Sequence, residues 1–144
     1  MINKMKLTFS SLSENEAFSR SVVAAFIMPL NPTISEICDI KTAVSEAVTN
    51  AVVHGYPDTV GDIILSCEID SDVIHIKIQD YGIGISNVPK ALEPFYTTKP
   101  EQERSGMGFM FMEMFMDKVH IESQTNVGTT ICMTKKIKNN KKNR

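Results

Sequence analysis

At Gly55-Tyr56-Pro57 the hydrophobic pattern changes period from about 3.6 to 2, and that change restricts the chain to folds that set helices against a sheet. Before it, Asn31-Pro32-Thr33 opens a helix: Thr33 and Glu36 have capping-box spacing, and Pro32 is tolerated in the first turn. This helix is predicted to run to His54, with Gly55 as its C-terminal cap and Pro57 preventing continuation. After it, Ile63, Leu65, Cys67 and Ile69 alternate with more polar positions. A turn at Asp70-Ser71-Asp72 leads into a returning strand from Val73 to Asp80. Upstream, Met5, Leu7 and Phe9 mark a first strand. Ser13 and Glu16 again have capping-box spacing, before a helix with Phe18, Val22 and Phe26 on one stripe that ends near Pro29. Downstream, Phe109 to Met116 reads as a third helix, and 119–123 with 129–137 as a final hairpin turning through Asn126-Val127-Gly128. Between them, Gly82 to Ser105 holds at most a short helix near 88–92. A stretch that long inside a compact domain is usually functional, often a lid. The order β-α-α-β-β-lid-α-β-β predicts a sheet covered on one face by helices.

The length fits one domain, residues 1–137, followed by a basic tail at 138–144 expected to be disordered. The tail matters for charge. The formal net charge is −2, but the last ten residues carry six of the fifteen Lys and Arg and no acid, so the rest holds nine basic against seventeen acidic residues. An acidic body argues against direct nucleic-acid binding and suits a basic partner. No run reaches the roughly 18 apolar residues of a membrane span, and the first residues lack a signal-peptide pattern. The expected location is cytoplasmic. Cys38, Cys67 and Cys132 are far apart and read as small buried hydrophobes, and the three His form no metal-ligand cluster.

Three groups of residues could carry chemistry. Glu46 and Asn50 are four apart, so they share one face of the second helix amid Val44, Ala47, Val48 and Ala51. An Asn carbonyl oxygen suits Mg2+, and a Glu beside it can accept the proton of an attacking hydroxyl. Spacing alone also fits a solvated stripe. Asp80 has the parity of Ile74, Ile76 and Ile78, so it points inward, where a carboxylate needs a partner; an adenine amine is a suitable donor. Gly82 and Gly84 allow a flat ligand close to the backbone. Ser105-Gly106-Met107-Gly108-Phe109 precedes the third helix and could present amides to an anion. Met110, Met112, Met114 and Met116 in that helix read as packing.

In order, these pieces resemble the boxes of the GHKL ATPase/kinase superfamily: Glu46 to Gly55 its N box, Asp80-Tyr-Gly-Ile-Gly84 and Ser105-Gly-Met-Gly-Phe109 its two glycine boxes, Gly128-Thr129-Thr130 its late Thr. Within it the chain is similar to the bacterial anti-sigma factor serine kinases, on Ser13 to Ala17, Val44 to Tyr56, Phe95 to Pro100 and Glu103 to Phe109. The likeness spans about Met5 to Lys135 and departs at no box residue. It implies a two-layer α/β sandwich of the α+β class with a mixed sheet, binding ATP and Mg2+. It implies that the protein grips a sporulation sigma factor, phosphorylates a serine of an anti-anti-sigma partner, and works as a homodimer.

The roles implied are Glu46 as base, Asn50 on Mg2+, Asp80 on the adenine amine and Thr129 in support of it. Gly82 and Gly84 would admit the base, while Gly106, Met107 and Gly108, with Ser105, would cradle the phosphates. Lys99 and Arg104 could reach the γ-phosphate. Arg20, the one Arg before residue 104, is a candidate anchor for an acidic patch on a partner, or an ordinary exposed Arg. The competing expectations are an ATP-gated binding module with little kinase activity and a general-stress anti-sigma kinase. Glu46 favours the enzyme, because binding alone needs no base.

Overall fold

The computed structural model describes residues 2–86, 88–91 and 108–138. Strand β1 (Ile2–Ser10) turns Phe9 inward and leaves Lys4, Lys6 and Thr8 outside. Helices α1 (Asn15–Ile27) and α2 (Ile34–Asn50) follow, joined through a short 3-10 turn at Met28–Leu30. The chain then forms β2 (Asp62–Asp70), β3 (Val73–Asp80), the short α3 (Val88–Ala91), α4 (Gly108–Phe115), β4 (Lys118–Gln124) and β5 (Gly128–Lys136).

The five strands make one sheet in the order β1-β2-β3-β5-β4. All four pairings are antiparallel, so the mixed sheet expected above is corrected, while the two-layer α+β class stands. A single helix between β1 and β2 would return the chain to its starting end and give a parallel pair. Two successive helices bring it back to the far end, and β2 descends against β1. β3 and β4, linked through α4, do run the same way, but β5 lies between them.

The core sits between sheet and helices. Ile40, Ala43, Val44, Ala47 and Val48 of α2 meet Ile63, Leu65 and Cys67 of β2, Ile74, Ile76 and Ile78 of β3, and Ile131 and Met133 of β5. Each large side chain there contributes on the order of 2 kcal/mol by leaving water. The predicted strand parities hold throughout. Met112 of α4 is fully buried, and Phe111 stacks on Phe115 with ring centroids 6.1 Å apart. Among the described residues, no helix is long and apolar enough to cross a membrane.

Several local expectations fail, among them the burial of Cys38, which is exposed on α2. The inward stripe of α1 is Ser19, Val23 and Ile27, one residue on from Phe18, Val22 and Phe26, and Phe18 is 48% exposed. Ser19 tolerates burial because its hydroxyl donates to the Glu16 carbonyl at 2.7 Å. The capping box at Ser13 does not form either: Glu16 pairs with Arg20 at 2.6 Å, and the Asn15 side chain donates to the Ser10 carbonyl. The second capping box forms as spaced. The Glu36 amide donates to Thr33 Oγ1 at 3.1 Å, and the Thr33 amide to Glu36 Oε1 at 2.9 Å. The other oxygen of Glu36 accepts from the Lys138 amide at 2.7 Å, tying the start of α2 to the end of the sheet.

Candidate functional site

Beyond Asn50 the helix does not continue to His54 in α-form but widens into a π-turn, Ala51–Gly55, closed by the Tyr56 amide donating to the Ala51 carbonyl at 3.0 Å. Such widened turns frequently mark functional sites. Here the turn brings Gly55 against the end of β3. A Cβ at Gly55 would lie 2.9 Å from Asp80 Oδ1, so only glycine leaves the carboxylate its place. The Gly55 carbonyl accepts from the Ile83 amide at 2.9 Å, and Gly82 packs so closely on the Gly55 backbone that any side chain at 82 would collide with it.

Asp80 is 4% exposed and stands opposite Ile63 on one side and Thr129 on the other. Burial raises its carboxyl above the ordinary carboxylate range. The backbone amides of Gly82, 2.9 Å from Oδ1, and Thr129 oppose that shift by hydrogen bonding to the charged form. The carboxylate is thus fixed by main-chain donors, with acceptor capacity left over.

The loop that follows is pinned almost residue by residue. The Tyr81 amide donates to the Tyr56 hydroxyl at 2.7 Å, and that hydroxyl donates to the Asp62 carbonyl, also at 2.7 Å. Burial pushes the Tyr56 phenol up, so it stays a neutral donor. Gly84 takes φ 79°, a left-handed conformation natural to glycine, with its α-carbon against the Gln124 carbonyl. The Ile83 carbonyl accepts from the Asn126 amide at 2.7 Å, and the Ile85 amide donates to Ser123 Oγ at 2.6 Å. Thr129 is 3% exposed, with its Oγ1 2.8 Å from Ser123 Oγ.

Asp80, Gly82, Gly84 and Thr129 therefore come together at one end of the sheet, joined to α2 through Gly55. Glu46 and Asn50 occupy successive turns of α2 leading toward that junction, Asn50 9% exposed and Glu46 half-buried. Gly108, buried, opens α4, which packs on α2. Lys99, Arg104, Ser105, Gly106 and Met107 lie outside the described residues. Arg20 stands apart from this cluster. It is held by Glu16 and reaches Ser45 Oγ of α2 at 3.3 Å, with its side chain 37% exposed.

Tyr56 and Ser123 are site residues that the sequence reading missed. Tyr56 acts across 25 positions and Ser123 across 38, so no local spacing marks them. The available signals were a Tyr that needs a hydroxyl partner beside the helix stop, and a Ser with the inward parity of Val119 and Ile121.

Comparison with known proteins gives a family, sequence relatives and a likeness of fold. Residues 9–135 match the family described as the histidine kinase-like ATPase domain. The chain is 52% identical over 142 residues to a protein named anti-sigma F factor from Geobacillus thermodenitrificans, covering 98% of this chain and 97% of that protein. It is 56% identical over 138 residues to the anti-sigma F factor of Clostridium perfringens, covering 95% and 99%. A solved structure of the RsbU and RsbW domains of a Mycobacterium tuberculosis protein superposes with TM-score 0.66 at 19% identity. That match covers 94% of this chain but only 32% of the other, and it is a likeness of fold.

Proposed function

The chain belongs to the histidine kinase-like ATPase domain family, among relatives named anti-sigma F factors, and on that premise we propose that it is an anti-sigma factor and an ATP-dependent serine kinase. In this reading it binds a sigma factor of the sigma F kind and keeps it from RNA polymerase. It also phosphorylates a serine on an anti-anti-sigma factor that would otherwise free the sigma factor, and it acts as a homodimer.

The observation that carries the nucleotide site is Asp80: a buried carboxylate held by two backbone amides beside glycines that bring main chain close on both sides. Burying a charge without a cation is costly, and an exocyclic amine offers the donor that the remaining oxygen capacity can accept. Thr129, its cross-strand neighbour, supports that contact. Gly82 and Gly84 let the loop pack against the Gly55 and Gln124 main chain, which holds the loop where the base would lie. In this reading Gly108, with Ser105, Gly106 and Met107, would present amides to the phosphates, and Lys99 would serve the γ-phosphate.

The donor set around α2 fits Mg2+, because Asn50 and Glu46 offer oxygen and no soft ligand. Asn50 would hold the ion, which when bound neutralises charge on the phosphates. Glu46 orients the partner's serine hydroxyl and accepts its proton. Phosphoryl transfer asks mainly for positioning and charge neutralisation, which this set supplies. Arg20, pre-oriented by Glu16, anchors an acidic patch of a partner protein.

The test is calorimetric titration with ATP and Mg2+, followed by capture of a sigma F-type factor with and without nucleotide. The reading expects ATP binding that Asp80→Asn weakens about ten- to a hundredfold, the range of a hydrogen bond to a charged group. It also expects sigma-factor capture that Arg20→Glu reduces. A folded Asp80→Asn protein that binds ATP as well as the parent contradicts the assignment.

A further inference from the structure

Ser123 makes three hydrogen-bond contacts, as many as its hydroxyl can hold, and their most complete assignment turns the Thr129 hydroxyl toward it. A serine hydroxyl has one proton and two lone pairs. Ser123 Oγ accepts from the Ile85 amide at 2.6 Å, which takes one lone pair. It lies 3.1 Å from the Gly128 carbonyl, a group that only accepts, so that contact takes the proton. The third contact, 2.8 Å to Thr129 Oγ1, admits either hydroxyl as donor; with the Ser123 proton on the Gly128 carbonyl it takes the remaining lone pair, and Thr129 donates. With its proton turned to Ser123, Thr129 meets the space beside Asp80 as an acceptor.

We propose that Ser123 is a specificity-determining positioning residue. By holding the Thr129 proton it makes the base end of the site accept-only, so that a 6-amino purine is taken and a 6-oxo purine refused. The proposal rests on the reading of Asp80 and Thr129 as the base site. Asp80 contributes to the same choice when ionised, but Thr129 could switch to donating if its proton were free, and Ser123 prevents that. The same hydroxyl anchors Ile85, where the glycine loop leaves the sheet, so base choice and the root of that loop share one group.

The experiment measures ATP and inosine triphosphate affinities by titration for the parent, Ser123→Ala, Ser123→Thr and Ser123→Cys, each checked for folding by circular dichroism. The ATP-to-ITP affinity ratio is the readout, because loosening the loop weakens both nucleotides together and leaves the ratio alone. The ratio is expected to favour ATP in the parent and to fall about tenfold in Ser123→Ala, the worth of one hydrogen bond. Ser123→Thr, which keeps the hydroxyl, is expected to retain it. Ser123→Cys, close in size with a weak donor, should lower the ratio in the same direction and serves if the alanine variant fails to fold. An unchanged ratio in Ser123→Ala or Ser123→Cys overturns the proposal. A parent that binds ATP and ITP alike overturns the base-site reading itself, and this inference with it.

Discussion

At the scale of single residues, Asp80 is where sequence and structure agree most directly. Its inward parity was legible from the isoleucines before it, because a strand's period of two leaves no freedom once one face is apolar. What parity could not give was the environment, which comes from Gly55 and Thr129, 25 and 49 positions away in sequence. That environment predicts a pH dependence. Folding raises the Asp80 carboxyl above its ordinary 3.8, so the folded state favours the protonated form. Its contribution to stability is complete below that ordinary value and is lost as pH rises through the raised one. Nucleotide-free protein should therefore be penalised by Asp80 at neutral pH, and Asp80→Asn should melt at an equal or higher temperature there. That advantage should shrink as the pH falls toward 4, as differential scanning fluorimetry across the range would reveal. Under the proposed role of Asp80 on the adenine amine, binding should run the other way, with parent affinity for ATP declining on acidification through the same window. Tyr56→Phe, which removes one buried oxygen that serves the Tyr81 amide and the Asp62 carbonyl, should cost about 1–3 kcal/mol in urea unfolding.

At the scale of elements, α2 and its π-turn carry most of the geometry. The helix start was readable because a capping box is local: two side chains, three residues apart, satisfy each other's backbone amides. Thr33→Ala should lose about 1 kcal/mol of stability while leaving ATP affinity unchanged, since the cap stands at the far end of α2 from Asn50. The helix end was only half readable. Gly55 and Pro57 announced a stop, but the widening of the last turn answers to Asp80 and Ile83, which no local pattern contains. Gly55→Ala should accordingly disturb the carboxylate and cut ATP affinity at least tenfold. Gly82→Ala, which would drive a side chain into the Gly55 backbone, should cost about 3 kcal/mol of folding stability as well. Helix α1 was misread by one residue because its apolar side chains lie on both sides of the inward line. Ser19 satisfies its own hydroxyl, and Phe18 is left facing solvent. An amphipathic pattern with a buried serine has no sharp phase for a sequence reader to find.

At the scale of the whole molecule, one layer of helices covers one face of an antiparallel sheet, and the site forms where the ends of α2, β3 and β5 meet. The packing makes a simple check available. Cys67 is fully buried with its thiol pushed up to about 12, while Cys38 is exposed. A thiol reagent should label Cys38 at once in the native protein and reach Cys67 only on unfolding, so labelling kinetics report global opening. The family and the class of fold were legible because four short boxes keep their order over some ninety residues. The strand pairing was not, since whether neighbours run parallel depends on how many helices intervene and on which strand β5 inserts beside. The central claim is that this assembly transfers phosphate to a protein serine with Glu46 as the base, and it is tested most directly with γ-labelled ATP, Mg2+ and a candidate anti-anti-sigma factor. The account predicts label on a serine of that partner with the parent protein, and a loss of at least a hundredfold in rate with a Glu46→Ala variant that still binds ATP, the range general base catalysis supplies. Tight ATP binding with no label transferred by the parent, or equal transfer by Glu46→Ala, would contradict it.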